Sequence, residues 1–242
     1  MNYSRSPVFT VAAMKRFLVV ALLMLAQPAL AAMSLDKIIV YLNDQPNSRD
    51  DIVVSNPDEE TLYLQTEIYR VEKPGMADEK RVRVVDPKEF RLLVNPARAV
   101  LAPGEQKRFR LMSLERDLEQ EVVYRVTFKP VVGEVKSNRS ALKILVAYQA
   151  LVFVQPHTAE YRFELERNAG GLQLVNRGNI NGEVAVMEYC ESPGNCRKLS
   201  HTGRVYAGAS LPIDEALADG ELRLLVRGQQ SERLSLPVPA VE

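Results

Sequence analysis

The sequence predicts an all-β protein built as two β-sandwich domains. Three observations carry that expectation. Short runs of alternating apolar and polar residues recur along the chain, separated by turn-forming Gly, Pro, Asn and Asp. The pattern breaks at Pro156-His157-Thr158 and then resumes in shorter pieces. The chain has 242 residues, more than one sandwich usually needs. Two domains of about 100 residues each would both bury a core.

In chain order, residues 1–31 read as an export signal. Met14-Lys15-Arg16 opens a basic segment, and residues 17–26 are apolar but too short to span a bilayer. Ala29-Leu30-Ala31 has the small-x-small form of a signal peptidase site. The cleaner signal that opens at Met14 makes that residue an alternative start. The mature chain then begins at Ala32, outside the cytoplasm. An uncleaved membrane anchor is the competing reading, and the crowded small residues at 26–32 argue against it.

Residues 32–155 form the first expected domain. Strands are expected at 37–42, 51–57, 61–70, 81–85, 90–94, 99–101, 107–111, 121–129 and 141–154. In 61–70, Leu62, Leu64, Thr66 and Ile68 fall on one face. In 121–129, Tyr124, Val126 and Phe128 form an apolar face, while Arg125, Thr127 and Lys129 share the other. Asn95-Pro96 and Ala102-Pro103-Gly104-Glu105 are turn sequences. Residues 113–120 are the one stretch with the look of a helical turn. Residues 156–242 form the second domain, with strands at 160–166, 172–176, 182–190, 197–201, 220–226 and 232–236. Gly170-Gly171 and Arg177-Gly178-Asn179 supply tight turns between them. No sequence repeat or low-complexity segment stands out.

The two cysteines, Cys190 and Cys196, enclose a Pro-Gly turn. Export to an oxidising compartment and a turn between paired strands favour a local disulfide over two free thiols. A loop this short constrains the unfolded chain by roughly 2–3 kcal/mol. Zinc is disfavoured, because the only histidines are His157 and His201.

Composition narrows the function classes. Without residues 1–31 the chain carries 28 basic and 31 acidic side chains, a net charge near −3 that speaks against a nucleic-acid partner. No hydrolase motif or Gly-rich phosphate loop is present. Acid pairs such as Asp58-Glu59 and Asp214-Glu215 lie in turns, where solvated carboxylates are expected. His201 has no nucleophile partner in sequence, so a hydrolase would need a site assembled only by the fold. The expectation is a binding protein with no catalytic residue, cofactor or metal. An extracellular sandwich that binds carbohydrate or builds a surface appendage is the alternative, and the lack of any Trp argues against a sugar platform.

The run 141–154 is the longest β-rich stretch. Its period of two puts Leu142, Ile144, Val146, Tyr148, Ala150, Val152 and Val154 on one wholly apolar face. Thirteen extended residues span about 40 Å, long for a domain of this size. Two readings follow: a buried central strand, or an edge strand meant to pair with another chain.

Four stretches resemble the periplasmic chaperones of chaperone–usher fimbriae, in the branch serving colonisation-factor fimbriae. They are residues 95–105 with 107–111, the Tyr-Arg strand 121–128, the run 141–156, and residues 176–182 followed by Cys190 and Cys196 with their local pairing. The resemblance implies two immunoglobulin-like domains at an angle with a cleft between them. It implies that fimbrial subunits, pilins and a tip adhesin, are held by a lent strand and passed to an outer-membrane usher. It also leaves room for self-association of the free protein. Carried over by position, the inserted residues are Leu142, Ile144, Val146 and Tyr148. Three or four such side chains, at roughly 1.5–3 kcal/mol each, contribute about 5–12 kcal/mol before ordering costs.

Members of the family also hold the subunit's terminal carboxylate with an Arg and a Lys. Counted onto this chain, those positions fall on Ile39 and Leu151, which cannot serve. A carboxylate in a cleft still needs a cation. Arg125 is the leading candidate, followed by Lys37, Lys129 and Lys143.

Overall fold

The computed structural model describes residues 33–131, 145–168 and 171–239. Across them the chain forms eighteen strands and one short 3-10 helix. The first ten strands are β1 (Ser34–Leu35), β2 (Ile39–Asn43), β3 (Arg49–Ser55), β4 (Leu62–Glu72), β5 (Lys80–Arg83), β6 (Leu92–Asn95), β7 (Arg98–Leu101), β8 (Gln106–Ser113), β9 (Val122–Val131) and β10 (Tyr148–Gln155). They build a four-stranded sheet, β1-β3-β8-β6, and a six-stranded sheet, β2-β10-β9-β4-β5 with β7 also on β4. The pairings are antiparallel except that β10 runs parallel to β2.

The second group is β11 (Phe163–Asn168), β12 (Gly171–Asn176), β13 (Gly182–Ser192), β14 (Asn195–Leu199), β15 (Gly203–Val205), β16 (Ser210–Ile213), β17 (Glu221–Arg227) and β18 (Ser231–Pro237). They form a sheet β11-β12-β16 and a sheet β14-β13-β17-β18 with β15 on β13. The fold is therefore a pair of immunoglobulin-like β-sandwiches.

Each sandwich is held by the inward residues of its alternating strands. In the first, Ile52, Val54, Phe109 and Leu111 of one sheet meet Leu64, Tyr124, Val126, Phe128, Ala150, Val152 and Val154 of the other. Phe109 and Phe128 meet edge to face at 5.2 Å, the arrangement their ring quadrupoles favour. In the second, Leu172, Leu174 and Ile213 pack on Val184, Met187, Leu222, Leu224 and Val226.

One device occurs in both sandwiches. Asn56 is buried, its Nδ2 donates to the carbonyls of Glu60, Leu101 and Ala102, and its carbonyl accepts from Gly104 N at 2.8 Å. Asn176 is buried likewise, its Nδ2 donates to the carbonyls of Ile180 and Val205, and its carbonyl accepts from Gly208 N at 2.8 Å. Gly104 and Gly208 sit at φ 74° and 79°, a conformation that favours glycine. A buried amide thus pins a reverse turn in each half of the molecule.

Two sequence expectations are corrected. Residues 113–120 contain no helix. Side chains take the backbone donors there instead: Ser113 Oγ accepts from Glu115 N and Asp44 Oδ2 from Leu118 N, and Asp117 takes φ 52°. The described short helix is Pro87–Glu89, with Asp86 as its cap. The long run also begins later than expected as a strand. Residues 145–147 are not in a strand, and β10 starts at Tyr148.

Candidate functional site

The outward face of the six-stranded sheet is organised in cross-strand rows. One row is Tyr41, Phe153, Val123, Val71 and Arg81. Its centre is apolar and buried, and Tyr206 of the second sandwich packs on it, 6.4 Å from the Phe153 ring. The Arg204 guanidinium lies over the same ring at 4.9 Å. The next row is Ile39, Leu151, Arg125, Tyr69 and Arg83. Beyond it lie Gln149, Thr127 and Glu67. The face thus changes from apolar to charged within one residue pair along the strands.

Arg125 sits where that change occurs. Its Nη1 donates to Gln149 Oε1 at 3.1 Å, and Gln149 is steadied by its own bond to Thr127 Oγ1 at 2.9 Å. Its Nη2 lies 3.7 Å from Glu79 Oε1. Its Nε is buried with no hydrogen-bond partner, an uncommitted donor beside an open face. Glu79 stands on the turn between β4 and β5. Its carboxyl is held below the usual range by the Gly75 N–H, with Arg81 and Arg125 adding to the effect. Glu67 is lowered chiefly by the Tyr69 hydroxyl, with Arg83 and Lys129 also contributing. Arg81, Arg83, Arg125 and Lys129 therefore share this face with two carboxylates, leaving it cationic.

The other expected site residues are distributed as follows. Lys129 is on the Arg125 face, 3.5 Å from Glu67. Lys37 is engaged elsewhere, bonded to Asp50 of β3 at 2.8 Å. Leu142, Lys143 and Ile144 lie outside the described residues. Val146 is 52% exposed. Tyr148 is half-buried against the first core. Cys190 and Cys196 form a disulfide that ties β13 to β14 as a cross-strand pair.

The open edge of β10 lies beside these residues. Tyr148, Gln149 and Ala150 pair with Phe128, Thr127 and Val126 of β9. The register with β2 starts only at Leu151. Among the described residues, the first part of β10 therefore has a strand on one side only.

Glu121, just before β9, joins the two sandwiches. Its backbone N–H donates to Asn179 O at 2.9 Å, and its carboxylate accepts from Gln155 Nε2 at 2.9 Å and Asn181 Nδ2 at 2.7 Å. Arg204 in turn donates to Asn181 Oδ1. Burial pushes the Glu121 carboxyl up to about 7, against the opposing pull of its amide donors.

Sequence reasoning passed over Glu79, Gln149 and Glu121. The first two are placed by strand pairing, and the third by contact with the second sandwich. His201, the residue a hidden hydrolase would use, accepts from the Asp214 N–H at 3.1 Å and faces Glu215.

Fold and face together define a two-domain, immunoglobulin-like protein that presents a strand edge beside a cationic patch. Residues 32–160 match the family model of pili and flagellar-assembly chaperones, PapD N-terminal domain, and the chain belongs to that family. It is 26% identical over 176 residues to a CS1 fimbrial protein of Escherichia coli, covering 67% of this chain and 73% of that protein. The class 5 fimbriae chaperone CfaA superposes with a TM-score of 0.71 at 22% identity, over 86% of this chain and 100% of that one. A structure of a chaperone–tip adhesin complex of CFA/I fimbriae biogenesis matches with a TM-score of 0.68 at 22% identity, over 87% of this chain and 100% of its own. The sequence expectation of a fimbrial chaperone with this fold is met.

Proposed function

We propose that this chain acts in the periplasm, where it captures fimbrial subunits, completes their fold with a lent strand and delivers them to an outer-membrane usher. Residues 1–31 are the signal, 32–155 the domain that lends the strand and 156–242 the second domain. The reading is supported above all by the half-open edge of β10 at Tyr148–Ala150, with Val146 exposed just ahead of it. An unpaired edge satisfies its backbone groups by accepting another strand. Alternate side chains upstream, Leu142, Ile144 and Val146, fill the subunit's core, and Arg125 holds the subunit's terminal carboxylate. Pilins and a tip adhesin are the partners, and no step requires catalysis.

Co-expression with the pilin of the same fimbria is expected to yield a soluble one-to-one complex. Ile144→Asp with Val146→Asp removes the complex and leaves the free chaperone folded. Wild-type recovery of pilin on the double variant overturns the lent-strand mechanism.

A further inference from the structure

Arg110 shows what a committed guanidinium looks like in this fold. Its Nε and Nη2 hold the two oxygens of Asp51 at 2.9 and 3.1 Å, a two-pronged fork. Arg125 has the same two groups, and they are not committed. Its Nε has no partner, and its Nη2 is 3.7 Å from Glu79, beyond hydrogen-bond length. Only its remaining nitrogen is bonded, to Gln149.

Glu79 is tethered differently at its two ends. Oε2 accepts from Gly75 N at 3.0 Å within its own turn. Oε1 faces Arg81 Nε at 3.4 Å and Arg125 Nη2 at 3.7 Å. The turn itself rests on the second sandwich: a Cβ on Gly75 would lie 2.6 Å from the Tyr206 ring. The carboxylate is thus carried to Arg125 by a braced turn, but it closes no hydrogen bond there. Glu67 does not compete for the role, because it is engaged by Tyr69, Arg83 and Lys129.

We infer that Glu79 is an internal stand-in carboxylate that neutralises Arg125 in the free chaperone and yields it to the terminal carboxylate of an arriving subunit. The inference rests on the reading of Arg125 as the subunit anchor. A loose ion pair lowers the charge of an empty site while leaving the fork open. An incoming carboxylate that takes both Nε and Nη2 gains two charge-assisted bonds and loses one long contact to Glu79. A ligand without that charge gains less and is rejected. Glu79 therefore sets the threshold for capture, and its removal lifts the penalty of competing with it.

The test uses the full mature chaperone and the pilin of the same fimbria, diluted from urea, with capture affinity measured for four proteins: wild type, Glu79→Gln, Arg125→Ala and the double variant. Glutamine keeps an oxygen for the Gly75 N–H and removes the charge. Glu79→Gln is expected to tighten capture about two- to tenfold, with no gain in the Arg125→Ala background. If Arg125→Ala weakens capture but Glu79→Gln does not tighten it, the anchor stands and the stand-in falls. Equal tightening in both backgrounds means a general charge effect and also overturns the inference. If Arg125→Ala captures like the wild type, both readings fall. Should Glu79→Gln fail to fold, Glu79→Ser answers the same question.

Discussion

Leu151 and Arg125 are cross-strand partners on β10 and β9, and Leu151 is flanked on its other side by Ile39 of β2. Ile39 and Leu151 are the positions where the family resemblance would place an Arg and a Lys. All three residues share one row of one sheet face, so the cation stands one strand over, about 4.8 Å away. On this geometry the anchor is displaced along the row. Arg125→Ala is then expected to weaken pilin capture about ten- to a hundredfold, the loss of a charge-assisted contact. Lys37→Ala, which breaks only the pair with Asp50, leaves capture unchanged. Adding Leu151→Lys to Arg125→Ala restores part of it, because a lysine stem can lie on the neighbouring apolar row. Pull-down of the co-expressed pilin reads all three, and no rescue by Leu151→Lys would argue against a shared row.

Val146 and Tyr148 share a strand face in the sequence but not a role in the structure. Val146 is 52% exposed, whereas Tyr148 packs against the first core. Val146→Asp should therefore abolish capture with little change in the stability of the free protein. Tyr148→Ala should cost about 1–3 kcal/mol of stability in urea, with capture reduced only as far as folding is. Equal destabilisation by both substitutions would place Val146 in the protein's own core.

The contrast shows what local sequence pattern can and cannot resolve. The period of two separated Tyr124, Val126 and Phe128 from Arg125 and Thr127 correctly, because alternation is a property of one strand. It could not say that Ala150, Val152 and Val154 serve the chaperone's own core, since an apolar face reads the same whoever covers it. Val123 and Phe153 lie on the face that carries Arg125, yet they are buried, because Tyr206 from a remote part of the chain lies against them. Glu79 reaches Arg125 through the β4–β5 turn, which no pattern near either residue announces. The Asn56 and Asn176 devices escaped notice as a repeat because what recurs is a hydrogen-bond arrangement between distant turns, with different residues around it.

Those two asparagines should weigh on stability alike. Asn176→Ala leaves the buried carbonyls of Ile180 and Val205 without their donor, and Asn56→Ala does the same to Glu60, Leu101 and Ala102. Each substitution is expected to cost about 2–4 kcal/mol in urea unfolding. Limited proteolysis should then cut the sandwich that bears the change before its neighbour. A cost within about 0.5 kcal/mol, the range of an ordinary surface change, would show that water or rearrangement replaces the amide.

Glu121 gives the molecule a pH dependence of definite sign. Burial raises its carboxyl to about 7 in the folded protein from the ordinary 4.5. Between those values the folded state holds a proton that the unfolded chain has released, so stability falls as pH rises. The contribution is fully present below about 4.5, is lost progressively up to about 7, and amounts to on the order of 3 kcal/mol. Asp44, Asp51, Glu67 and Glu79 act in the opposite sense, since their carboxyls are lowered. They lend stability above the ordinary carboxylate range and lose it below, which places their effect at more acidic pH. Comparison with Glu121→Gln isolates the one group. Urea unfolding at steps from pH 5 to pH 8 should show a decline in the wild type that the variant lacks. Because Glu121 bonds to Asn179, Asn181 and Gln155 where the sandwiches join, the loss should fall on that junction, and amide exchange at Asn181 should quicken between pH 6 and 8 beyond the ordinary base-catalysed rise. Parallel pH profiles for wild type and Glu121→Gln would mean that Glu121 stays ionised in the fold and that its amide donors outweigh its burial.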